Sequence, residues 1–149
     1  MFKTPNIKVF NIKIFKDKRG KFFEVFNKEK FSKFGIKDIF IQDSTSISNK
    51  NVLRGLHYTI LKPQSQLLTV LEGKIFDCIV DLRKNSKTFK KVFTYLLSDK
   101  KNNQIYMPPG MAHGFVVLSK RAVLNYKASQ TYNSNDEGGL LWSDKDLNI

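Results

Sequence analysis

The chain has 149 residues, which is the usual length of one domain with its own hydrophobic core. It has no run of the roughly 20 apolar residues that cross a bilayer and no apolar leader near its start, so we expect a soluble, cytoplasmic protein that binds no membrane. The net charge of +13 comes mainly from lysines scattered singly among apolar residues, a pattern that disfavours a nucleic-acid polymer as partner and favours a small anion held by the few arginines.

The predicted elements begin with a hairpin and a short helix. Residues 12–26 read as two strands around a polar turn at 17–20. Residues 27–35 form the predicted helix, because Asn27 can cap its first turn and Gly35 can end it.

Eight short β-rich segments follow, between residues 38 and 132. Gly, Pro, Asn and Ser separate them at intervals of roughly ten residues, which is the spacing of a sandwich or barrel and not of βαβ units. We therefore predict an all-β fold, an antiparallel jelly-roll β-barrel with a short helix near the N-terminus, in a single domain of residues 1–149. Residues 66–83 are expected to form a hairpin that turns at Glu72 and Gly73.

The only two histidines, His57 and His113, fall in two of these strand segments. A jelly-roll metal site typically needs three or four His and carboxylate ligands, and the sequence has no His-x-His pair, so we predict no metal. A neutral imidazole is a competent proton acceptor near pH 7, and the mouth of a barrel would place it near a ligand. Each histidine, taken alone, is also compatible with a structural role in the core.

Arg54 lies close to His57 in the sequence and is suited to anchor an anionic group. The two positions differ by an odd number, so a flat strand would send their side chains to opposite faces of the sheet. A β-bulge at the intervening Gly55 would bring both to one face. We therefore predict a distortion of the strand at this glycine if both residues line one pocket.

Several separated motifs, namely LRGLHY, VDLRKNSKTF, PPGMAHGF and LLWSD, resemble in sequence and order those of the dTDP-4-dehydrorhamnose 3,5-epimerase family. The resemblance covers residues 15–149 and implies the cupin form of the jelly roll. It also implies a nucleotide diphosphate 4-keto-6-deoxy sugar as substrate, with dTDP as the expected nucleotide, and no cofactor. In this family a histidine removes a hydrogen beside the keto group to give an enolate, and a tyrosine reprotonates the opposite face.

The resemblance implies roles for individual residues of this chain. His57 is the expected base and Tyr126 the expected proton donor. The expected substrate-binding residues are Arg54 at the diphosphate, Tyr132 stacked on the nucleobase, and Arg19, Glu24, Gln42, Ser44, Gln66, His113 and Glu137. Arg19 and Glu24 match residues that the family contributes to the neighbouring subunit's site, so we expect a homodimer.

Two departures from the family pattern concern the catalytic groups. Gln66 stands where the family commonly has a lysine that stabilises the enolate, and an amide there can donate a hydrogen bond but has no charge. The family also supplies, beyond its tryptophan motif, an aspartate that orients the base, whereas this sequence stops at Ile149. The replacements considered are Lys62 or Lys74 for the lysine and Asp77, Asp81 or Asp144 for the aspartate, with Asp81 favoured.

Three functions fit this sequence. The first is epimerisation at carbon 3, carbon 5 or both, in the biosynthesis of a deoxysugar for a surface polysaccharide. The second is a ketoisomerase that moves the keto group between carbons 3 and 4 through the same enediol chemistry. The third is a cupin that binds a nucleotide sugar without turning it over.

Overall fold

The computed structural model describes residues 6–149, and within them the chain is almost entirely β. The strands are β1 Lys8–Asn11, β2 Ile14–Asp17, β3 Gly20–Phe23, β4 Gln42–Asn49, β5 Leu53–Thr59, β6 Gln66–Glu72, β7 Lys74–Asp81, β8 Val92–Ser98, β9 Asn103–Met107, β10 Met111–Val117, β11 Arg121–Ala128 and β12 Glu137–Gly139. The α-helix α1, Lys28–Lys33, follows β3, and a 3-10 turn, Ser134–Asp136, precedes β12. The predicted domain also includes residues 1–5, which lie outside the described part of the chain.

Two five-stranded antiparallel sheets form the body of the fold. The first has the strand order β1-β9-β6-β11-β4 and the second the order β12-β5-β10-β7-β8. The sheets face each other without closing into a barrel, and in the described part of the chain β2 and β3 pair only with each other as a separate hairpin. The prediction of an all-β jelly roll is confirmed, but the predicted closure into a barrel is not, because the two sheets form an open sandwich.

Alternating side chains from the two sheets build the core between them. The period of two along a strand places every second residue on the inner face. The core residues are Leu68, Val70, Ile105, Met107, Ala122 and Leu124 from the first sheet, and Ile75, Ile79, Leu97, Met111, Phe115 and Val117 from the second. Toward one end of the sandwich, polar side chains continue the same inner faces and leave a cleft.

Helix α1 covers part of the outer face of the first sheet. It packs Phe31 against Leu67 and Tyr106. The helix begins as predicted, because the Asn27 side chain accepts a hydrogen bond from the backbone N–H of Lys30 at 3.1 Å. No helix among the described residues is long and apolar enough to cross a membrane.

The chain that follows β12 covers the outer face of the second sheet. Leu140 packs there against Leu56, Val80 and Cys78. Burial, helped by the negative charge of Asp77, raises the pKa of the Cys78 thiol to about 11. The thiol therefore stays protonated and packs as a small apolar side chain.

The predicted hairpin at Glu72 and Gly73 is wrong. β6 pairs with β9 and β11 in the first sheet, whereas β7 pairs with β8 and β10 in the second, so the chain crosses between the sheets here. Gly73 makes this corner with a φ of +89°, and a Cβ there would lie 2.2 Å from the carbonyl oxygen of Arg121. Apolar residues alternate along two consecutive strands in the same way whether the strands are neighbours in one sheet or face each other across a core, so the pattern does not distinguish the two arrangements.

Candidate active site

A cleft of about 700 Å³ opens between the inner faces of the two sheets. Of the eleven residues expected at the site, nine line it, namely Gln42, Ser44, Arg54, His57, Gln66, His113, Tyr126, Tyr132 and Glu137. They come from β4, β5, β6, β10, β11, β12 and the loop after β11, so residues far apart in the sequence converge at one place.

A β-bulge brings Arg54 and His57 to the same side of β5. On the neighbouring β10, His113 lies opposite His57 and Phe115 opposite Arg54, so three steps along β5 match two steps along β10. Gly55 makes the bulge with a φ of +96°, and a Cβ there would lie 2.5 Å from the carbonyl oxygen of His113. The predicted distortion at this glycine is confirmed.

His57 is held by a carboxylate. Its Nδ1 lies 2.8 Å from Oε1 of Glu137, on the edge strand β12, and the His57 side chain is 59% exposed. A neutral ring that donates Nδ1–H to Glu137 has Nε2 as its basic nitrogen. This arrangement prepares the imidazole to accept a proton from a ligand in the cleft.

The expected replacement of the orienting aspartate is wrong, because Glu137 is the carboxylate beside His57. Asp81 lies at the end of β7, where it accepts hydrogen bonds from Arg83 and from two hydroxyls of the following turn. Asp144 accepts a hydrogen bond from a backbone N–H two residues further on. Asp77 is paired with His113 instead.

The His113–Asp77 pair is the more buried of the two imidazole–carboxylate pairs. Nε2 of His113 lies 2.6 Å from Oδ1 of Asp77, and the Asp77 side chain is fully buried. The other carboxylate oxygen of Asp77 has no hydrogen-bond partner among the described residues. Because His113 lines the cleft, this pair places a buried carboxyl group next to the cleft wall.

Tyr126 stands on the wall opposite His57, since β11 belongs to the first sheet and β5 to the second. Its ring faces that of Phe115 on the second sheet, with 6.5 Å between the centroids. The hydroxyl groups of Tyr126 and Ser46 form a hydrogen bond of 2.5 Å. Burial raises the pKa of Tyr126 above its ordinary value, although the bond to Ser46 and the charge of Arg54 act in the opposite direction. Tyr126 therefore holds a proton that it can donate at neutral pH.

A polar network links the outer end of the cleft to Glu137. The backbone N–H of Tyr132 donates to Oε1 of Gln42 at 2.6 Å, and the Gln42 amide donates to the Ser44 hydroxyl at 3.2 Å. The Tyr132 hydroxyl donates to Oε2 of Glu137 at 3.2 Å, while its ring remains mostly exposed. The exposed ring is available to stack on a planar group.

Arg54 is the one lysine or arginine among the described residues that line the cleft. Its Nε donates to the Ser48 hydroxyl at 2.9 Å, which fixes the guanidinium and leaves its two terminal nitrogens for an anion. Gln66 lines the cleft, whereas Lys62 and Lys74 do not, so neither lysine supplies the charge that Gln66 lacks.

Arg19 and Glu24 lie away from the cleft of their own chain. Arg19 is on the β2–β3 turn, where its side chain is 86% exposed and pairs with Asp17 at 2.6 Å. Glu24 follows β3 and pairs with Lys30 at 2.7 Å. The described residues contain no group of three or more His, Cys, Asp or Glu that could hold a metal ion.

Two serines of the site were not predicted. Ser46 and Ser48 follow Gln42 and Ser44 on the inner face of β4 and hold Tyr126 and Arg54. The signal that could have found them is the period of two, which places positions 42, 44, 46 and 48 on one face of the strand.

Fold and cleft together define a jelly-roll protein equipped for acid–base chemistry, with an imidazole and a phenol on facing walls. The model of the family described as dTDP-4-dehydrorhamnose 3,5-epimerase matches residues 2–149, and this chain belongs to that family. The resemblance of the motifs is thereby confirmed, and with it the isomerase class of the enzyme.

Individual relatives agree with this assignment. A dTDP-4-dehydrorhamnose 3,5-epimerase from Shigella flexneri is 45% identical over 148 residues, which cover 97% of this chain and 81% of the relative. The dTDP-6-deoxy-D-glucose-3,5-epimerase of Legionella pneumophila Philadelphia 1, solved with dTDP-4-keto-L-rhamnose, is 40% identical, with a TM-score of 0.93 over 96% of this chain and 77% of that one. ChmJ, a 3'-monoepimerase from Streptomyces bikiniensis solved with dTDP-quinovose, is 29% identical, with a TM-score of 0.89 over 96% of this chain and 73% of that one.

Proposed function

We propose that the protein epimerises a dTDP-linked 4-keto-6-deoxy sugar through an enolate. The observation that most supports this proposal is the His57–Glu137 pair on one wall of the cleft, opposite Tyr126 on the other. The ligands of the Legionella and Streptomyces relatives are dTDP sugars and support the substrate class. The cytoplasmic location and the link to a surface polysaccharide stay predictions.

The groups of the cleft account for each proton in the reaction. The 4-keto group acidifies the hydrogens on carbons 3 and 5, and Nε2 of His57 accepts one of them while Glu137 stabilises the imidazolium that forms. The electron pair of the broken C–H bond moves to the keto oxygen, and the Gln66 amide is available to donate a hydrogen bond to this enolate. Tyr126 then protonates the carbon from the opposite face. Solvent takes the proton from His57 and returns one to Tyr126.

The rest of the cleft suits the nucleotide diphosphate. The Arg54 guanidinium, fixed by Ser48, can form a bidentate pair with phosphate oxygens. The exposed ring of Tyr132 offers a stacking surface for the nucleobase. Gln42, which binds the backbone of Tyr132, holds this surface in place.

Incubation with a dTDP-4-keto-6-deoxyhexose in deuterated water tests the proposal. We expect NMR to show deuterium at carbon 3, carbon 5 or both, together with inverted configuration, and the number of labelled carbons gives the number of epimerised centres. Movement of the carbonyl to carbon 3 would contradict the proposal in favour of a ketoisomerase. Binding without any exchange would contradict it in favour of a binding protein.

The variant His57→Ala tests the base directly. We expect it to slow exchange by about 10³-fold, because general-base catalysis typically contributes that much, while ligand affinity stays within about tenfold. Lys62→Ala, on the nearby loop but outside the cleft, is the control and should exchange normally. Undiminished exchange in the histidine variant would remove His57 from the mechanism.

We also propose a homodimer in which the β2–β3 hairpin reaches the neighbouring subunit's cleft. Within the part of the chain that the structure describes, the hairpin pairs with neither sheet, and it presents Phe15 and Phe22, which are 52% and 71% exposed, to its surroundings. Among residues 6–149, Arg19 at its turn is bound only to the exposed Asp17, and it lies outside the cleft of its own chain. Exposed aromatic rings of this kind are typical of an interface.

Mixed dimers test this arrangement. Arg19→Ala and His57→Ala chains are each expected to be weakly active alone. Unfolded and refolded together in equal amounts, they should recover about a quarter of wild-type activity, because half the dimers are mixed and each has one complete site. A monomer by sedimentation, or a mixture no more active than its parts, would contradict the proposal.

A further inference from the structure

Asp136 accepts hydrogen bonds from three consecutive backbone N–H groups. Ile60 N–H donates to Oδ1 at 3.0 Å, Leu61 N–H donates to the same oxygen, and Lys62 N–H donates to Oδ2 at 3.0 Å. The residue is buried, with 4% of its surface exposed. The bond from Leu61 is the main cause of a lowered pKa of Asp136, and burial acts in the opposite direction. We call these three bonds the Asp136 clamp.

The clamp joins the two chain segments that hold the base and its carboxylate. Asp136 immediately precedes Glu137, and residues 60–62 immediately follow β5, which contains His57. β12 is only three residues long and pairs with β5 so that Gly139 lies opposite His57. A strand this short makes few ladder bonds, so side-chain contacts at its start weigh heavily in its position.

The position of β12 decides whether the His57–Glu137 pair exists. A slip of one residue along β5 would turn the Glu137 side chain to the other face of the sheet. In the observed register its carboxylate reaches Nδ1 of His57 at 2.8 Å. Asp136 does not line the cleft, so any effect on the chemistry acts through this pair.

We propose that Asp136 is a positioning residue that keeps Glu137 in register against His57. The inference rests on the proposed function for its catalytic meaning, whereas the contacts that define the clamp are independent of any substrate. Asparagine at this position has one acceptor oxygen and would present an NH₂ group to one of the backbone donors. Asp136→Asn therefore removes at least one bond and the negative charge of the clamp at almost constant volume.

The two histidines of the chain make a spectroscopic test possible. In the untagged protein labelled with ¹⁵N-histidine, the ring-nitrogen shifts show which nitrogen of each imidazole is protonated. We expect His57 to be protonated mainly at Nδ1 in the wild type. In Asp136→Asn this fraction should fall toward that of free histidine, while the signals of His113, which is held by Asp77, stay unchanged.

Kinetics and two further variants complete the test. We expect Asp136→Asn to lower kcat for exchange about tenfold with KM within about twofold, as misplacement of a catalytic group does. Asp136→Glu keeps the charge and should retain most of the Nδ1 protonation. Asp144→Asn removes a carboxylate that binds a backbone N–H in the turn beyond β12, and as the matched control it should change neither quantity.

The outcomes separate this inference from the proposed function. An unchanged His57 spectrum in Asp136→Asn would overturn the inference, as would equal changes at His113, or loss of folding in both Asp136→Asn and Asp136→Glu. The spectra need no substrate, so an inactive wild type with the expected tautomer change would defeat the proposed function and leave the clamp standing. An active wild type in which Asp136→Asn leaves the His57 tautomer unchanged would overturn the inference and leave the proposed function standing.

Discussion

At the scale of single residues, Tyr126 separates the two halves of the proposed reaction. Tyr126→Phe removes only the phenol oxygen, so we expect solvent hydrogen exchange into the substrate to continue while inversion falls by at least about 100-fold. The deuterium NMR assay measures both. Tyr95→Phe, at a partly buried tyrosine outside the cleft, is the matched control and should invert normally. Normal inversion in Tyr126→Phe would assign the donor role elsewhere.

The pKa of Tyr126 gives a second prediction at this scale. Burial raises it above the ordinary value of about 10, and the Ser46 hydroxyl acts against burial by stabilising the phenolate. The phenolate signal that distinguishes the wild type from Tyr126→Phe in an ultraviolet titration should therefore have its midpoint above about pH 10. In Ser46→Ala the midpoint should move still higher. A shift to lower pH would contradict the role given to this hydrogen bond.

The carboxylate beside His57 shows how much of the site can be predicted from single residues of the sequence. The motifs place His57, Tyr126 and Glu137 in one cleft, and the structure agrees. They do not identify Glu137 as the partner of His57, because that contact depends on how a three-residue edge strand pairs with β5. Such a pairing leaves no periodic pattern in the sequence.

At the scale of elements, the bulge in β5 depends on Gly55. Alanine there would require a φ of +96° and would bring its Cβ within 2.7 Å of Gly114 Cα, so we expect Gly55→Ala to lower the free energy of unfolding by about 3 kcal/mol or more and to reduce activity. Gly20→Ala is the matched control. It shares the positive φ but has nothing within 4 Å of the added Cβ, so it should cost only about 1 kcal/mol. Equal losses in denaturant unfolding would show that the close contact is unimportant.

The turn between β7 and β8 is held by Asp81. Burial opposes its ionisation, but hydrogen bonds from Arg83, Thr88 and Ser86 outweigh burial and put its pKa well below the usual range. The folded-state pKa is the lower one, so this stabilisation is present above the unfolded value of about 3.9 and is lost as the pH falls below it. We expect Asp81→Asn to cost about 2 kcal/mol near neutral pH. Its difference in melting temperature from the wild type should shrink below pH 4, and a constant difference would contradict this account.

The elements that the sequence predicts are those with strong local signals. The hairpin β2–β3, helix α1 and the eight strands β4 to β11 each have an apolar alternation, a cap or a turn residue, and all are present. β1 and β12 are four and three residues long and are defined only by the strands they pair with. The crossing at Gly73 was missed for the same reason, since partners distant in the chain decide which sheet a strand joins.

At the scale of the whole molecule, the net charge of +13 should accelerate the encounter with a diphosphate. We expect kcat/KM to fall several-fold between about 10 mM and 150 mM salt, while kcat at saturation changes little, because salt screens long-range attraction more than contacts within a cleft. Stopped-flow or initial-rate measurements at low substrate concentration would show this.

Two exposed lysines far from the cleft provide a control for that effect. Lys100 and Lys101 lie in the turn between β8 and β9 and do not line the cleft. Changing both to Glu lowers the net charge by two per substitution without changing any residue of the cleft. The salt dependence of kcat/KM should therefore weaken, while kcat at saturation should stay unchanged. A salt dependence of kcat/KM identical to that of the wild type would show that only local charges, such as that of Arg54, matter.

Glu137 divides its two carboxylate oxygens between His57 and the hydroxyl of Tyr132. A nucleotide stacked on the Tyr132 ring, as proposed above, would therefore lie one hydrogen bond away from the carboxylate that contacts Nδ1 of His57. Under the proposed function, the same carboxylate would contact both the residue that binds the nucleobase and the residue that accepts the proton. If the proposed binding mode is correct, a keto sugar without its nucleotide would lose both the stacking on Tyr132 and the indirect contact with Glu137 that the hydroxyl of this residue provides.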